Sequence, residues 1–369
     1  MSQTPLSVLD LIPVSSGSTP AQALQNSLDL ARAAEQAGYQ RYWFAEHHLN
    51  PGVIGASPAI AIALAAAATQ HIRVGSAGFQ LGHRTALSVA EEIGLLDLAF
   101  PGRLDLGLGR SPGGPPKKRF PAPEPAANQA SNGLVVPANF DPSVLLNSPR
   151  FALQRALLQL PGAESPDYTA QVGDLLDLLA GTYEHDGVPG QASPGQGAEV
   201  EVWILGSSAG ESAALAGSRG LRFAANYHVA PAGILGAVAA YRAQFQPSDV
   251  LNAPYVSVSA DVVVADDDEA ARELAAGYPA WVRSIRSGVG AIPFPSPAEA
   301  AEFSWTEAER QLVADRVETQ FVGSPSTVAA RLHELQEATD ADELVVTTIT
   351  HQHDDRVRSL QLLAKEWFG

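Results

Sequence analysis

A (β/α)8 barrel of the TIM type is the fold class this sequence predicts, on three observations. Short β-branched and aromatic runs alternate with Ala- and Leu-rich helical stretches along most of the chain. Eight such runs can be counted, each followed by a helical stretch. No shift in composition divides the 369 residues into two units, and barrels of this type reach that length as one domain. Strand–helix–strand order forces parallel pairing through right-handed crossovers, and eight such units close into a cylinder whose chemistry lies beyond the C-terminal strand ends. An open doubly wound sheet is the competing arrangement for the same alternation.

Residues 6–12 read as the first strand. Thr19 and Pro20 then supply the cap and first turn of a helix with Leu24, Leu28, Ala31 and Ala34 on one stripe and Gly38 as its stop. The second strand starts with the aromatic run Arg41-Tyr42-Trp43-Phe44 and is expected to continue through Ala45 and Glu46 to end at His47 and His48. Pro58 opens an Ala-rich helix to about 69, residues 72–76 form the third strand, and a helix over 86–99 stops at Phe100-Pro101-Gly102. Residues 104–108 are the fourth strand. The alternation breaks over 111–149, a Pro-, Ala- and Gly-rich insertion carrying Lys117, Lys118 and Arg119, expected to lie at one end of the fold as a lid. Helical stretches near 151–160 and 168–183 and a linker over 187–197 precede the fifth strand at 200–205. A helix over 209–216, a strand over 221–225, a helix over 234–245 and a strand over 255–264 follow. The acidic run from Asp266 suits a helix start. Residues 283–305 read as a second insertion. Ser324 and Pro325 cap a helix to 335, 344–348 is the eighth strand, and a helix from about 355 closes the chain.

Hydrophobic residues make up 46% and charged residues 17%, the balance of a globular enzyme-like body. A net charge of −17 argues against nucleic acid and anionic membranes as partners, since phosphate contacts need clustered Lys and Arg. The absence of cysteine excludes disulfides, thiolate metal sites and a cysteine nucleophile. The first residues make a poor secretion signal, and the longest apolar run, 59–68, is too short to span a bilayer. A cytoplasmic protein is the expectation.

A closed barrel would gather Asp10 to Pro13, Glu46 to His48, Ser76 to Gln80, Gly107 to Ser111, Gly206 to Gly210, Asn226 to His228 and Thr348 to His351 at one end. Alternation puts Trp43, Ala45 and His47 on one side of the second strand, and Tyr42, Phe44, Glu46 and His48 on the other. On the fourth strand the leucines at 104, 106 and 108 would face helices, leaving Gly107 and Gly109 inward. That suits space for a flat ligand or a tight turn. Gly107-Leu108-Gly109 does not open a helix, so it is no dinucleotide fingerprint. Arg110 offers a fixed cation for a phosphate, or a structural ion pair. Ser207, Ser208 and Gly210 lead from a strand into a helix and form an anion cradle, or an ordinary cap. His351 and His353 share a side after the last strand, with Asp354 or His47 to complete a metal set, so a metal-dependent barrel hydrolase stands as a second class. No metal is expected under the leading reading.

Taken in order, Ala34-Glu35-Gln36-Ala37-Gly38-Tyr39 into Trp43-Phe44-Ala45-Glu46-His47-His48, Ile72-Arg73-Val74-Gly75-Ser76-Ala77-Gly78, Glu91 to Asp97, Pro101 to Arg110, Trp203 to Gly210 and Phe321-Val322-Gly323-Ser324-Pro325 resemble the bacterial-luciferase-like flavin-dependent monooxygenases. The similarity leaves out the 111–149 insertion. The resemblance implies a barrel, usually dimeric, that binds reduced FMN or, in one branch, a deazaflavin coenzyme, and uses O2 to oxidise a small organic substrate. It also implies a separate NAD(P)H-dependent reductase that supplies the reduced flavin. His47 matches the active-site histidine, Arg110 with Ser207, Ser208 and Gly210 the phosphate site, and Ala77-Gly78 a non-proline cis peptide against the ring. His228 lies on a matching strand end. On this assignment Gly107 and Gly109 make room for the ring, and Trp43 and Phe44 supply apolar wall. A flavin-binding protein without turnover is a third possibility.

Overall fold

The computed structural model describes residues 3–110, 130 and 132–369. Eight parallel strands pair in a closed cycle: β1 (Leu6–Asp10), β2 (Arg41–Phe44), β3 (Arg73–Ser76), β4 (Leu104–Gly109), β5 (Glu201–Gly206), β6 (Arg222–Asn226), β7 (Val256–Val264) and β8 (Glu343–Thr347). Closure is made by β8 on β1, with Val8 opposite Val346, and by β6 on β7, with Val258 opposite Ala225. The barrel is therefore the observed fold, and the open sheet is ruled out. Helices α1 (Pro20–Ala37), α2 (Pro58–Ala68), α3 (Ala86–Ala99), α4 (Tyr168–Ala180), α5 (Glu211–Ser218), α6 (Ile234–Gln244), α7 (Pro325–Thr339) and α8 (His353–Phe368) follow the strands in turn. Local chemistry sets their ends. At α1 the Thr19 hydroxyl accepts from the Gln22 amide at 3.1 Å, and Gly38 turns left-handed at φ 90°.

Alternation divides the strands cleanly. Leu104, Leu106 and Leu108 join Val74, Tyr42 and Phe44 in the core between sheet and helices, while Trp43, Leu9, Trp203, Ala224 and Val345 fill the cylinder. Phe44 thus faces the helices, against the Tyr42 ring at 5.2 Å, and is not part of a ligand wall. Inside, the side chains stack in layers, as closed barrels require. The layer at the N-terminal end is ionic. Arg41 donates to Asp105 at 2.9 Å, to Glu201 at 2.8 Å and to Glu343 at 3.0 Å, while Arg73 and Arg222 supply two more cations. Three guanidinium groups face three carboxylates, so the buried charge is compensated; an unpaired one would be expensive. Above it Trp43 and Trp203 meet edge to face at 4.9 Å, and Trp43 Nε1 donates to Asp105 at 2.8 Å.

Several expectations need adjusting. Strand β2 ends at Phe44, short of the histidines, so Ala45 to His48 are irregular and not bound by strict alternation. The 187–197 stretch contributes one arm of a small antiparallel hairpin, Glu184–His185 with Val188–Pro189. A short strand, Phe321–Gly323, pairs with β7 outside the cycle, and Phe79–Gln80 adds to β4. Residues 283–305 are only partly irregular: a helix Tyr278–Arg286 runs into them, Pro297–Ala301 is helical, and a further helix, Glu307–Thr319, follows. This segment caps the barrel. Phe294, Trp281, Tyr278 and Val313 join the same cluster as Trp43 and Trp203, and Phe294 exchanges backbone bonds with Val14 and Ser16. Most of the other insertion, with Lys117, Lys118 and Arg119, lies outside the described residues. Its described part holds a short helix at Ser143–Leu146, and the helix expected near 151–160 follows at Pro149–Leu158.

Candidate active site

At the C-terminal strand ends lies a cavity of about 260 Å³. His47, Ala77, Gly78, Gly109, Arg110, Ser207 and Ser208 all line it, so the turns after β2, β3, β4 and β5 converge on one space. The Ala77–Gly78 peptide is cis. Ala45, Glu46, Gln80, Leu205, Gly206, Glu211, Ser212 and Asn226 complete the wall. Two other named glycines, Gly107 and Gly210, are not part of the lining. Gly107 is covered: a Cβ there would stand 1.9 Å from the Ser76 carbonyl oxygen, so its missing side chain admits backbone from the neighbouring turn and leaves no room for a ring. Gly109 does face open space, with only the Phe79 carbonyl oxygen near, at 3.9 Å. Gly210 caps α5 next to the cavity, but its amide already donates to the Ser208 carbonyl at 2.8 Å.

The two histidines differ in setting. His47 keeps its Nδ1 buried with no hydrogen-bond partner. Removal from water, with help from His48 and Arg150 and against the pull of Glu46, lowers its pKa to about 4. His228 lies behind the wall, buried, with Nδ1 2.6 Å from the Ser259 hydroxyl. Burial first, then Arg316 and His47, lower its pKa to about 3. Both imidazoles are therefore neutral near pH 7, and only His47 reaches the cavity.

The opposite end carries the charge. Arg110 reaches across to Glu211, Nη1 to Oε2 3.1 Å, and the other Glu211 oxygen accepts from the Thr169 hydroxyl at 3.3 Å. Glu211 is the first residue of α5, whose start has no side-chain cap. The first-turn amides of that helix and the Ser207 and Ser208 hydroxyls thus border a space already supplied with a guanidinium.

Glu46 organises one rim. Its carboxylate accepts from His48 at 2.9 Å, His83 at 3.0 Å and the Gln80 amide at 2.9 Å. Burial works to raise its pKa, but these bonds and Arg84 win and bring it down to about 2. Glu46, His48 and His83 bring their donor atoms within 4.8 Å of one another, which makes them the one potential metal-ligand group among the described residues. The expected alternative set does not assemble. His351 bonds Ser16 at 3.0 Å while His353 pairs with Asp29 on α1 at 2.8 Å, so the two imidazoles turn to different partners. Sequence reasoning missed the Glu46 hub, because Gln80 and His83 lie on another turn. It also missed Glu211, although that residue follows a strand already singled out; Asn226, expected at its strand end, does line the cavity.

The chain matches the luciferase-like monooxygenase family over residues 4–130 and 172–342. It is 36% identical to the protein YvbT of Bacillus subtilis (strain 168), over 99% of this chain and 97% of that one. A luciferase-like monooxygenase of Escherichia coli (strain K12) is 32% identical over 96% of this chain and 95% of its own. Among solved structures, apo-MsnO8 superposes with a TM-score of 0.76 at 30% identity, covering 99% and 98% of the two chains. More distant structures share the fold. One is the oxygenating constituent of 3,6-diketocamphane monooxygenase of Pseudomonas putida in complex with FMN, with a TM-score of 0.64 at 19% identity over 99% and 98% of the chains. Another is an F420-dependent secondary alcohol dehydrogenase in complex with an F420–acetone adduct, at 0.62 and 13% over 99% of each.

Proposed function

Since this chain belongs to the luciferase-like monooxygenases, we propose that it is a flavin-dependent oxidoreductase that uses reduced FMN and O2 to oxidise a small organic substrate. One observation carries the reading. A neutral histidine with an unpartnered buried nitrogen shares a single cavity with a free-ended helix start, two serine hydroxyls and a guanidinium. The residues fit a phosphorylated planar ring: Arg110, Ser207 and Ser208 would hold the phosphate, and Gly109 with the Ala77–Gly78 turn would border the ring. When bound, the reduced flavin would supply the two electrons and the oxygen activation. The protein's own work is narrower. Trp43 and Trp203 fill the cylinder away from water, the segment around Phe294 packs on the same cluster, and His47 holds or takes a proton at Nδ1.

FMN and a deazaflavin coenzyme remain alternatives on this fold, since the two bound structures score 0.64 and 0.62. Titration of the purified protein with FMN, reduced FMN and F420 tests both. Saturable binding of reduced FMN with substrate oxidation supports the leading reading, F420 binding alone selects the other, and binding of none removes the flavin assignment. Reduced flavin oxidised with no substrate consumed would leave a binding protein without turnover. Stoichiometric zinc or manganese by elemental analysis would favour the hydrolase. A separate NAD(P)H-dependent reductase as electron source belongs to this reading, as does a homodimer. Ile60, Leu64, Leu95 and Leu98 expose an apolar face on α2 and α3, and a monomer by sedimentation at micromolar concentration would remove the dimer. No helix among the described residues is long and apolar enough to cross a membrane, and a cytoplasmic location is proposed with the rest.

A further inference from the structure

A carboxylate stands where the flavin phosphate would bind. Glu211 lines the same cavity as Arg110, Ser207 and Ser208, and its Oε2 takes the Arg110 Nη1 hydrogen at 3.1 Å. Thr169, from the start of α4, fixes the second oxygen at 3.3 Å. Arg110 has no other ion-pair partner among the described residues, and both side chains stay partly open, 46% and 29% exposed. Glutamate in the first turn of a helix is common, because the helix N-terminus favours negative charge. Here that same charge faces the cradle that a dianionic phosphate needs.

We propose that Glu211 sets the affinity of this site: it holds Arg110 while the cavity is empty, and competes with an incoming phosphate for the same guanidinium. A phosphorylated flavin then has to share Arg110 with Glu211 or draw it away, and the carboxylate stays within the cavity wall and repels the phosphate. Both effects weaken the grip on the phosphate and leave contacts to the ring untouched. The result is a cofactor that exchanges readily, which suits reduced flavin delivered by another protein. The inference rests on the flavin reading above.

The test compares wild type with Glu211→Gln, which keeps shape and the Thr169 contact and removes the charge. Kd and dissociation rate are measured for oxidised FMN and for riboflavin, which lacks the phosphate. At the separations involved, one unit of like charge at a partly open site corresponds to a change of about ten-fold or more. The expected result is FMN binding at least about ten-fold tighter in Glu211→Gln, carried by slower release, with riboflavin within about two-fold of wild type. FMN affinity unchanged or weaker in the variant overturns the proposal, and weaker binding would make Glu211 an aid that positions Arg110. Equal tightening for riboflavin overturns it too, because the effect would not pass through the phosphate. If wild type binds FMN and only the variant comparison fails, the flavin reading stands without this inference; if wild type binds neither flavin, both fall.

Discussion

Gly107→Ala and Gly109→Ala separate two tasks performed by neighbouring glycines on β4. A Cβ at Gly107 would lie 1.9 Å from the Ser76 carbonyl oxygen and 3.0 Å from Leu205 Cδ1. The first overlap is with backbone, on the strand that leads into Ala77–Gly78, so no rotamer change relieves it and the sheet must shift. Overpacking of this kind costs about 1–3 kcal/mol, and a rigid obstacle places it toward the upper end. With about 2 °C lost per kcal/mol in a chain of this size, Gly107→Ala should lower Tm by roughly 3–6 °C. At Gly109 the added methyl meets only the Phe79 carbonyl oxygen at 3.9 Å and otherwise points into the cavity. Its Tm should stay within about 1 °C of wild type, while FMN binding weakens by about ten-fold or more because the methyl occupies ring space. Thermal melts and flavin fluorescence titrations on both variants give the answer. A Gly107→Ala protein as stable as wild type, or a Gly109→Ala protein that binds FMN normally, refutes the division of labour.

Arg110→Ala should weaken FMN by about 2 kcal/mol, the scale of a charge-assisted hydrogen bond, and leave riboflavin nearly unchanged; equal losses by calorimetry would dismiss the phosphate role. His47→Ala should retain cofactor affinity within about three-fold and lose turnover by about 100-fold or more, whereas unchanged steady-state rates would end the proton-transfer role. Acid sensitivity follows from the two depressed histidines. Folded protein keeps His47 and His228 neutral down to about 4 and about 3, while the unfolded chain protonates them below 6.5. The unfolded state therefore binds more protons in that window, and their contribution, complete above pH 6.5, is lost as pH falls toward 4, at up to about 1.4 kcal/mol per pH unit per group. Glu46, held near 2, adds its own loss only below 4.5. Urea unfolding at pH 7.5, 6 and 5 should show the decline, and the double variant His47→Asn/His228→Asn should flatten it; a slope identical to wild type would mean that other groups control acid stability.

Seven of the eight barrel strands were legible as runs with β-branched or aromatic residues, and Leu104–Gly109 as an alternating leucine run after Pro101-Gly102, with the crossover helices between them carrying start and stop signals. Phe321–Gly323 was missed as a strand because three residues carry no periodicity, and Glu307–Thr319 because it follows a Pro-rich stretch that masks its Thr306 cap. Within the site, His47, Arg110 and Ser207 stood out as polar residues directly after apolar strands. Gly107 misled, since a sequence shows that a side chain is missing but not what fills the gap. Phe44 misled differently. Alternation had already turned it away from Trp43, and its place in the helix-facing core follows that rule.

What sequence could not supply was the ionic layer at the N-terminal end of the barrel. Arg41, Asp105, Glu201 and Glu343 lie on four strands far apart in the chain, and only closure of the barrel brings them into hydrogen-bond reach. Each is a charged residue in a buried strand, a pattern usually costly unless paired. Concentrating three carboxylates and three guanidinium groups at the N-terminal end leaves the middle of the cylinder to two indoles. Asp105 links the two layers, accepting from Arg41 below and from Trp43 Nε1 above, so the ionic layer fixes the orientation of the Trp43 ring. The upper end carries paired charge of its own, Arg110 with Glu211 at the cavity and Arg84 with the buried Glu46 on the rim, and His47 stays neutral there because it is removed from water.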